Sequence, residues 1–321
     1  MQFKYQKYSF TLKARETIEM PPYKGSTLRG GFGTSFKRIV CLFRNKQCRE
    51  CQLNGECAYS YIFETPAINT SSAFRIESSE AVPHPFIIEP PLERTQVYEA
   101  GSEFSFNLIL IGKATKYLLY FIMAFEQLGE LGIGKGRGRY ELVKVEVGDS
   151  LVYSGSDRIT TPVELKSIEV PEEIIPAEEG SLMINFLTPT RIKFNREYVN
   201  KIEFFVLITS LMRRLALLYI FHCDGNPPSW DHRLIIEQAK KIDLIENDTG
   251  WYDWERYSHR QRTRMKLGGV VGRAVYKGEV KGFLPILKAG ELFHVGKGTS
   301  FGLGMFRWEF EDRRQGSDGE I

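Results

Sequence analysis

The sequence predicts an α+β protein made of two tandem ferredoxin-like domains, each a β-α-β-β-α-β unit. Three observations predict it. The order strand, helix, strand, strand, helix, glycine loop, strand can be read twice along the 321 residues. Gly-Lys-Gly recurs at 134–136 and 296–298, each time between a helix and the last strand of its half. The length suits two domains of roughly 150 residues. We place these at 1–162 and 180–321, joined by a stretch rich in Glu and Pro from Val163 to Gly180.

In the first half, Phe3, Tyr5, Phe10 and Leu12 give Phe3–Leu12 a strand character. The turn-rich Pro21-Pro22-Tyr23-Lys24-Gly25 leads into a helix to about Phe43, with Ser26 or Thr27 as its cap. A long irregular stretch follows, holding four cysteines and the proline-marked segment His84–Pro91. Phe104–Ile111 alternates as a strand, and Thr115–Leu128 is apolar at helical spacing. Then come Gly132–Gly138 and a strand, Tyr140–Val147.

The second half predicts a strand at Ser181–Leu187, a helix at Tyr198–Phe221 and an inserted amphipathic segment at Leu234–Ile245. Two strand-like runs follow, Trp251–Arg264 and Gly269–Val280. A helix at Leu284–Phe293 delivers the chain into Gly296–Gly304, and Met305–Phe310 forms the last strand.

A composition of 42% hydrophobic and 26% charged residues is that of a folded chain, not a disordered one. The first residues carry charge and no apolar signal-peptide core, and the apolar run Phe204–Met212 is cut by Arg213-Arg214. The expectation is a cytoplasmic protein without a membrane partner. The net charge of +3 conceals two basic ends: residues 1–61 carry eleven Lys/Arg against four Asp/Glu, and 256–314 carry thirteen against five. Two such ends suit a polyanion if they adjoin, or are two separately solvated surfaces.

Glycines in Gly296–Gly304 let backbone N–H groups approach phosphate oxygens, and Lys297 adds charge beside Gly296, Gly298 and Ser300. The loop closes a helix and opens a strand, which excludes a P-loop and a dinucleotide fingerprint, since both open a helix. In Trp251–Lys266, alternation along one strand would put Arg256, Arg260, Arg262, Arg264 and Lys266 on one face, with aromatics available to stack on bases. Cys41-x6-Cys48-x2-Cys51-x5-Cys57 has the spacing of a structural zinc site; an iron–sulfur cluster or four free thiols remain compatible with it. Of the five histidines, His294 directly precedes the glycine loop, as a candidate general base or acid or as a helix C-terminal cap.

Pro22–Gly30, the basic strand and Gly296–Gly304 together resemble the CRISPR precursor-RNA-processing endoribonucleases of the RAMP superfamily. The resemblance implies a protein that binds CRISPR repeat RNA and cleaves it without a catalytic metal. In that chemistry the 2′-hydroxyl attacks the adjacent phosphate, leaving a 2′,3′-cyclic phosphate and a 5′-hydroxyl. Lys24 and Arg29 fall in the N-terminal motif and are expected at the RNA. Relatives often carry a catalytic His near the first helix, but residues 1–83 contain none. Others use Lys and Tyr, which makes Tyr23, Lys24 and Lys37 candidates beside His294. The resemblance also allows a non-catalytic subunit that binds guide RNA among other CRISPR effector subunits.

Overall fold

The computed structural model describes residues 1–43, 46–65, 82–157, 160–174, 179–223, 225–253, 255–258 and 263–312. Its contacts divide the chain into two compact units: Phe3–Ser167 with Leu217–Gly225, and Met1–Gln2 with Ile168–Ala216 and Asn226–Ile321.

The N-terminal unit runs β1 (Gln2–Ala14), β2 (Ile18–Glu19), α1 (Gly25–Val40), α2 (Ala58–Phe63), β3 (Phe86–Glu89), β4 (Val97–Tyr98), β5 (Glu103–Ile111), α3 (Leu118–Leu131), β6 (Tyr140–Val147) and β7 (Ser150–Ser154). Its main sheet has the order β3-β5-β1-β6-β7, with antiparallel neighbours throughout. Without β7 this is the second-third-first-fourth order of a ferredoxin-like unit. The alternation read in the first strand aligns Phe10 with Phe106 and Leu12 with Phe104, all four buried. Against that face pack Phe32 of α1 and Phe121 and Phe125 of α3, with the Phe32 ring stacked at 4.8 and 5.0 Å on the two α3 rings. Burying such side chains stabilises the unit by about 1.5–3 kcal/mol each.

Two local expectations change here. The residue flanking the start of α1 is Lys24, with no side-chain cap, so Ser26 and Thr27 lie inside the first turn. The strand missing from the sequence reading is β3, which lies within His84–Pro91. All four of its residues are buried, so it has no polar face to create alternation.

A short strand, β8 (Lys166–Glu169), precedes the second ferredoxin-like unit: β9 (Gly180–Thr190), β10 (Lys193–Phe194), β11 (Glu197–Tyr198), α4 (Phe204–His222), α5 (His232–Ala239), β12 (Asp243–Tyr252), β13 (Glu255–Ser258), β14 (Thr263–Lys266), β15 (Gly269–Gly278), α6 (Leu284–Phe293) and β16 (Phe306–Asp312). The sheet order β12-β15-β9-β16 is the same second-third-first-fourth arrangement, again antiparallel. Phe204 packs on Tyr276 and Phe283, and Phe186 on Phe306.

Three boundaries differ from the sequence reading. Helix α4 starts at Phe204 because Asn195 and Arg196, both at positive φ, turn β10 back onto β11. The inserted helix stops at Ala239, and the chain becomes β12 by Asp243. That strand lies on the sheet edge with almost no covered side chain, so its backbone ladder to β15 holds it without an apolar pattern. The expected single strand Trp251–Arg264 is instead the end of β12 followed by β13 paired with β14, Tyr257 opposite Arg264. The chain therefore reverses, and a parity argument that assumed one strand does not carry across the turn. By length and composition α4 reaches membrane-spanning size, with a hydropathy of 1.8, but 72% of that window is buried inside the protein.

Candidate nucleic-acid interface

The C-terminal glycine loop is held from the end of β9. Thr188 Oγ1 donates to the Gly302 carbonyl at 2.8 Å and accepts the Met305 N–H at 2.9 Å. The Lys297 N–H donates to the Arg191 carbonyl, and the Val295 N–H to Gly304. Gly296, Gly298, Gly302 and Gly304 all have φ between 73° and 82°, a region L side chains rarely enter. A Cβ on Gly296 would also run into the Arg191 carbonyl.

This frame carries Lys297 at the surface, where burial of its ammonium, then Arg213 and Lys193 as like charges, push its pKa down. Cations that raise one another's energy in this way form a site that an anion stabilises. Arg191 and Lys193 also lie over the ring of Tyr198, at 4.6 and 4.9 Å, and Tyr198 neighbours Trp251. Tyr198, Trp251 and Tyr252 are each more than a third exposed, so cations stand beside ring faces able to stack on bases. Arg191, Lys193, Tyr198 and Arg213 escaped the sequence reading. The only sequence signal was basic residues directly after β9, and nothing but folding brings them to the loop.

The expected loop residues divide. Gly296, Lys297 and Gly298 reach the surface, while Ser300 sits 5% exposed in a 3-10 turn, Thr299–Phe301. His294 requires a correction. Its ring is wholly buried, Nδ1 donates to the Leu303 carbonyl at 3.1 Å, and its backbone closes α6 at φ 61°. The residue is a helix-ending support for the loop, and in this conformation its imidazole does not meet a phosphate. Arg256, Arg264 and Lys266 fall on the β13–β14 hairpin, whereas Arg260 and Arg262 lie outside the described residues.

In the N-terminal unit, Lys24 is wholly buried, and its Nζ donates to the Glu93 carbonyl at 2.7 Å. Burial lowers its pKa and the charge of Glu93 opposes that. A phosphate contact by Lys24 is therefore corrected to an internal tie between α1 and the segment before β4. Burial pushes the Tyr23 phenol well above its ordinary range, so it holds its proton firmly. Lys37 lies 5.4 Å from the Tyr59 ring, at the cysteine segment.

Arg29 extends over the Phe63 ring at 4.5 Å, and its Nη2 stands 3.5 Å from Nε2 of the half-buried His84. The sequence offered no basic neighbour for His84; the fold supplies one from α1, 55 residues away. His222 is a core residue, its Nε2 donating to the Pro83 carbonyl at 2.8 Å with Tyr61 at Nδ1.

The chain thus holds two ferredoxin-like units, the second with a cationic glycine loop before its last strand. Residues 184–306 match the family model described as CRISPR-associated endoribonuclease Cas6, and residues 3–165 match a family described as an N-terminal domain, AF_1859_N. An uncharacterized protein of Archaeoglobus fulgidus is 29% identical, the alignment covering 92% of this chain and 96% of that one. Among solved structures, a Cas6 product complex superposes with a TM-score of 0.54 at 17% identity, over 95% of this chain and 99% of that one. Thermus thermophilus Cas6 gives 0.53 at 15%, over 96% and 99%. A partial Cas6-RT-Cas1–Cas2 complex gives 0.55 at 13%, over 97% of this chain and 47% of that one. By the match over residues 3–165 the chain belongs to the family described by that N-terminal domain, and residues 184–306 add a match to the Cas6 endoribonuclease model.

Proposed function

We propose that this protein binds CRISPR repeat RNA and cleaves it by metal-independent attack of a 2′-hydroxyl, giving 2′,3′-cyclic phosphate and 5′-hydroxyl ends. The observation that carries the binding part is the convergence of Lys297, Arg213 and Lys193 at a surface glycine loop. Three proton-transfer and charge roles must be filled. His84 is the candidate base, Arg29 beside it the candidate phosphate cation, and Tyr23 the candidate donor. The Cas1–Cas2 assembly of a structural neighbour makes other CRISPR proteins candidate partners.

The test is incubation with repeat RNA in EDTA, followed by end-group analysis. Cleavage with cyclic-phosphate ends is expected, and a magnesium requirement or 5′-phosphate ends would reject the mechanism. His84→Ala should lower cleavage on the order of 10²–10⁴-fold with RNA affinity kept. A second reading, a guide-RNA-binding subunit without catalysis, is favoured by the buried His294 and the lack of His in residues 1–83. Tight RNA binding with no cleavage by the unmodified protein would establish it.

A further inference from the structure

Between α1 and α2 the chain runs from Cys41 to Cys57, and none of its described residues is buried. Leu42 is 79% exposed and Phe43 43%. Such a stretch has no apolar interior to repay the entropy of ordering it. It is nevertheless turned tightly on itself: the Cys51 N–H donates to the Cys48 carbonyl, the Asn54 N–H to Cys51, and the Cys57 N–H to Leu53. The turns bring four distant thiols, Cys41, Cys48, Cys51 and Cys57, to the wall of one small pocket closed by Asn54 and Tyr59.

We infer that these four cysteines form a structural zinc site. Among the described residues no three metal-ligand side chains stand at coordinating separation, so binding would draw the sulfurs inward by rotation about their side-chain bonds. Three features support zinc. Cys48 opens the 3-10 turn Cys48–Glu50 and Cys51 follows it directly, the tight turn of a Cys-x2-Cys pair. All four cysteines are half-exposed and within reach of an ion from solvent. Four thiolates fill a tetrahedral shell and leave no position for a substrate, which makes the role structural.

The site has a consequence for the neighbouring helices. It would clamp the C-terminus of α1 to the start of α2, and α2 supplies Phe63 beneath Arg29 and Tyr59 beside Lys37. Zinc binding does not depend on the proposed cleavage, so either can fail alone.

The test is elemental analysis of the full-length protein, purified under reductant after growth with zinc, together with thiol titration in native buffer. One zinc per chain is expected, with four of the five thiols protected until a chelator strips the metal. Cobalt substitution should give the visible bands of a tetrahedral thiolate site. Cys51→Ser should lower metal content and lower Tm, and the wild-type metal and thiol readings stand even if that variant fails to fold. Four freely reactive thiols with no bound metal, a Cys48–Cys51 disulfide, or iron with a charge-transfer absorption would each overturn the inference.

Discussion

The two glycine loops share a backbone and differ in charge. At 132–138 the Ile133 N–H closes on Gly138, and the Lys135 N–H donates to the Glu19 carbonyl; at 294–304 the Val295 N–H closes on Gly304, and the Lys297 N–H donates to Arg191. Gly134 and Gly296 stand at φ 74° and 80°, each against the carbonyl its following lysine uses. Gly132 and His294 end their helices at φ 76° and 61°. The first lysine, 81% exposed, pairs with the Glu19 carboxylate at 3.4 Å, beside an Arg139–Glu16 ion pair. The second faces Arg213 and Lys193. The first loop neutralises itself and works as a turn. The second, lengthened by the 3-10 turn Thr299–Phe301, gathers like charges instead.

The largest effect should be one the loops share. Gly134→Val and Gly296→Val each combine a disfavoured φ with a backbone collision, and should each cost about 2–4 kcal/mol in urea unfolding. A large loss at one and none at the other would break the equivalence. Thr188→Val should cost about 1–3 kcal/mol by the same measurement, because it leaves the Gly302 carbonyl and the Met305 N–H without their partner.

Charge substitutions should separate what the glycines share. Lys297→Ala should weaken RNA binding roughly tenfold and reduce the salt slope by about one, read by anisotropy across a salt series. Lys135→Ala should change neither, since an exposed ion pair contributes little. Equal losses at both lysines would make the first loop an RNA contact as well.

The smallest effect is on pH. Because Lys297 titrates below the usual lysine range, RNA affinity should start to fall at a lower pH than in Lys297→Arg. In the free protein the sign reverses. The unfolded chain binds more protons between the depressed folded value and the ordinary one, so this group's contribution to stability rises with pH through that window. Anisotropy and unfolding measured over the same pH series would show the two opposed slopes.

Periodic features carried the fold. Alternation in Phe3–Leu12, the helical spacing of Leu284–Phe293 and the repeated Gly-Lys-Gly are local patterns, and the sheet orders built from them are ferredoxin-like twice. Strands β3 and β12 were not legible, because one is buried on both faces and the other on almost none. Neither therefore alternates. Much of the candidate interface was hidden for a different reason: His294 looked poised from its place in the sequence, and only the packed fold puts its ring inside.

By itself, then, the sequence determined most of the segments that become strands and helices, where the loops need glycine, and that cysteines cluster between α1 and α2. These depend on side-chain period and on φ, which neighbouring residues fix. Tertiary structure decided which charges meet. Lys135 pairs with a carboxylate from β2, Lys297 gathers with cations from β10 and α4, and His84 gains Arg29 from α1. Coulomb interactions act across space over a few ångströms, whatever the separation along the chain.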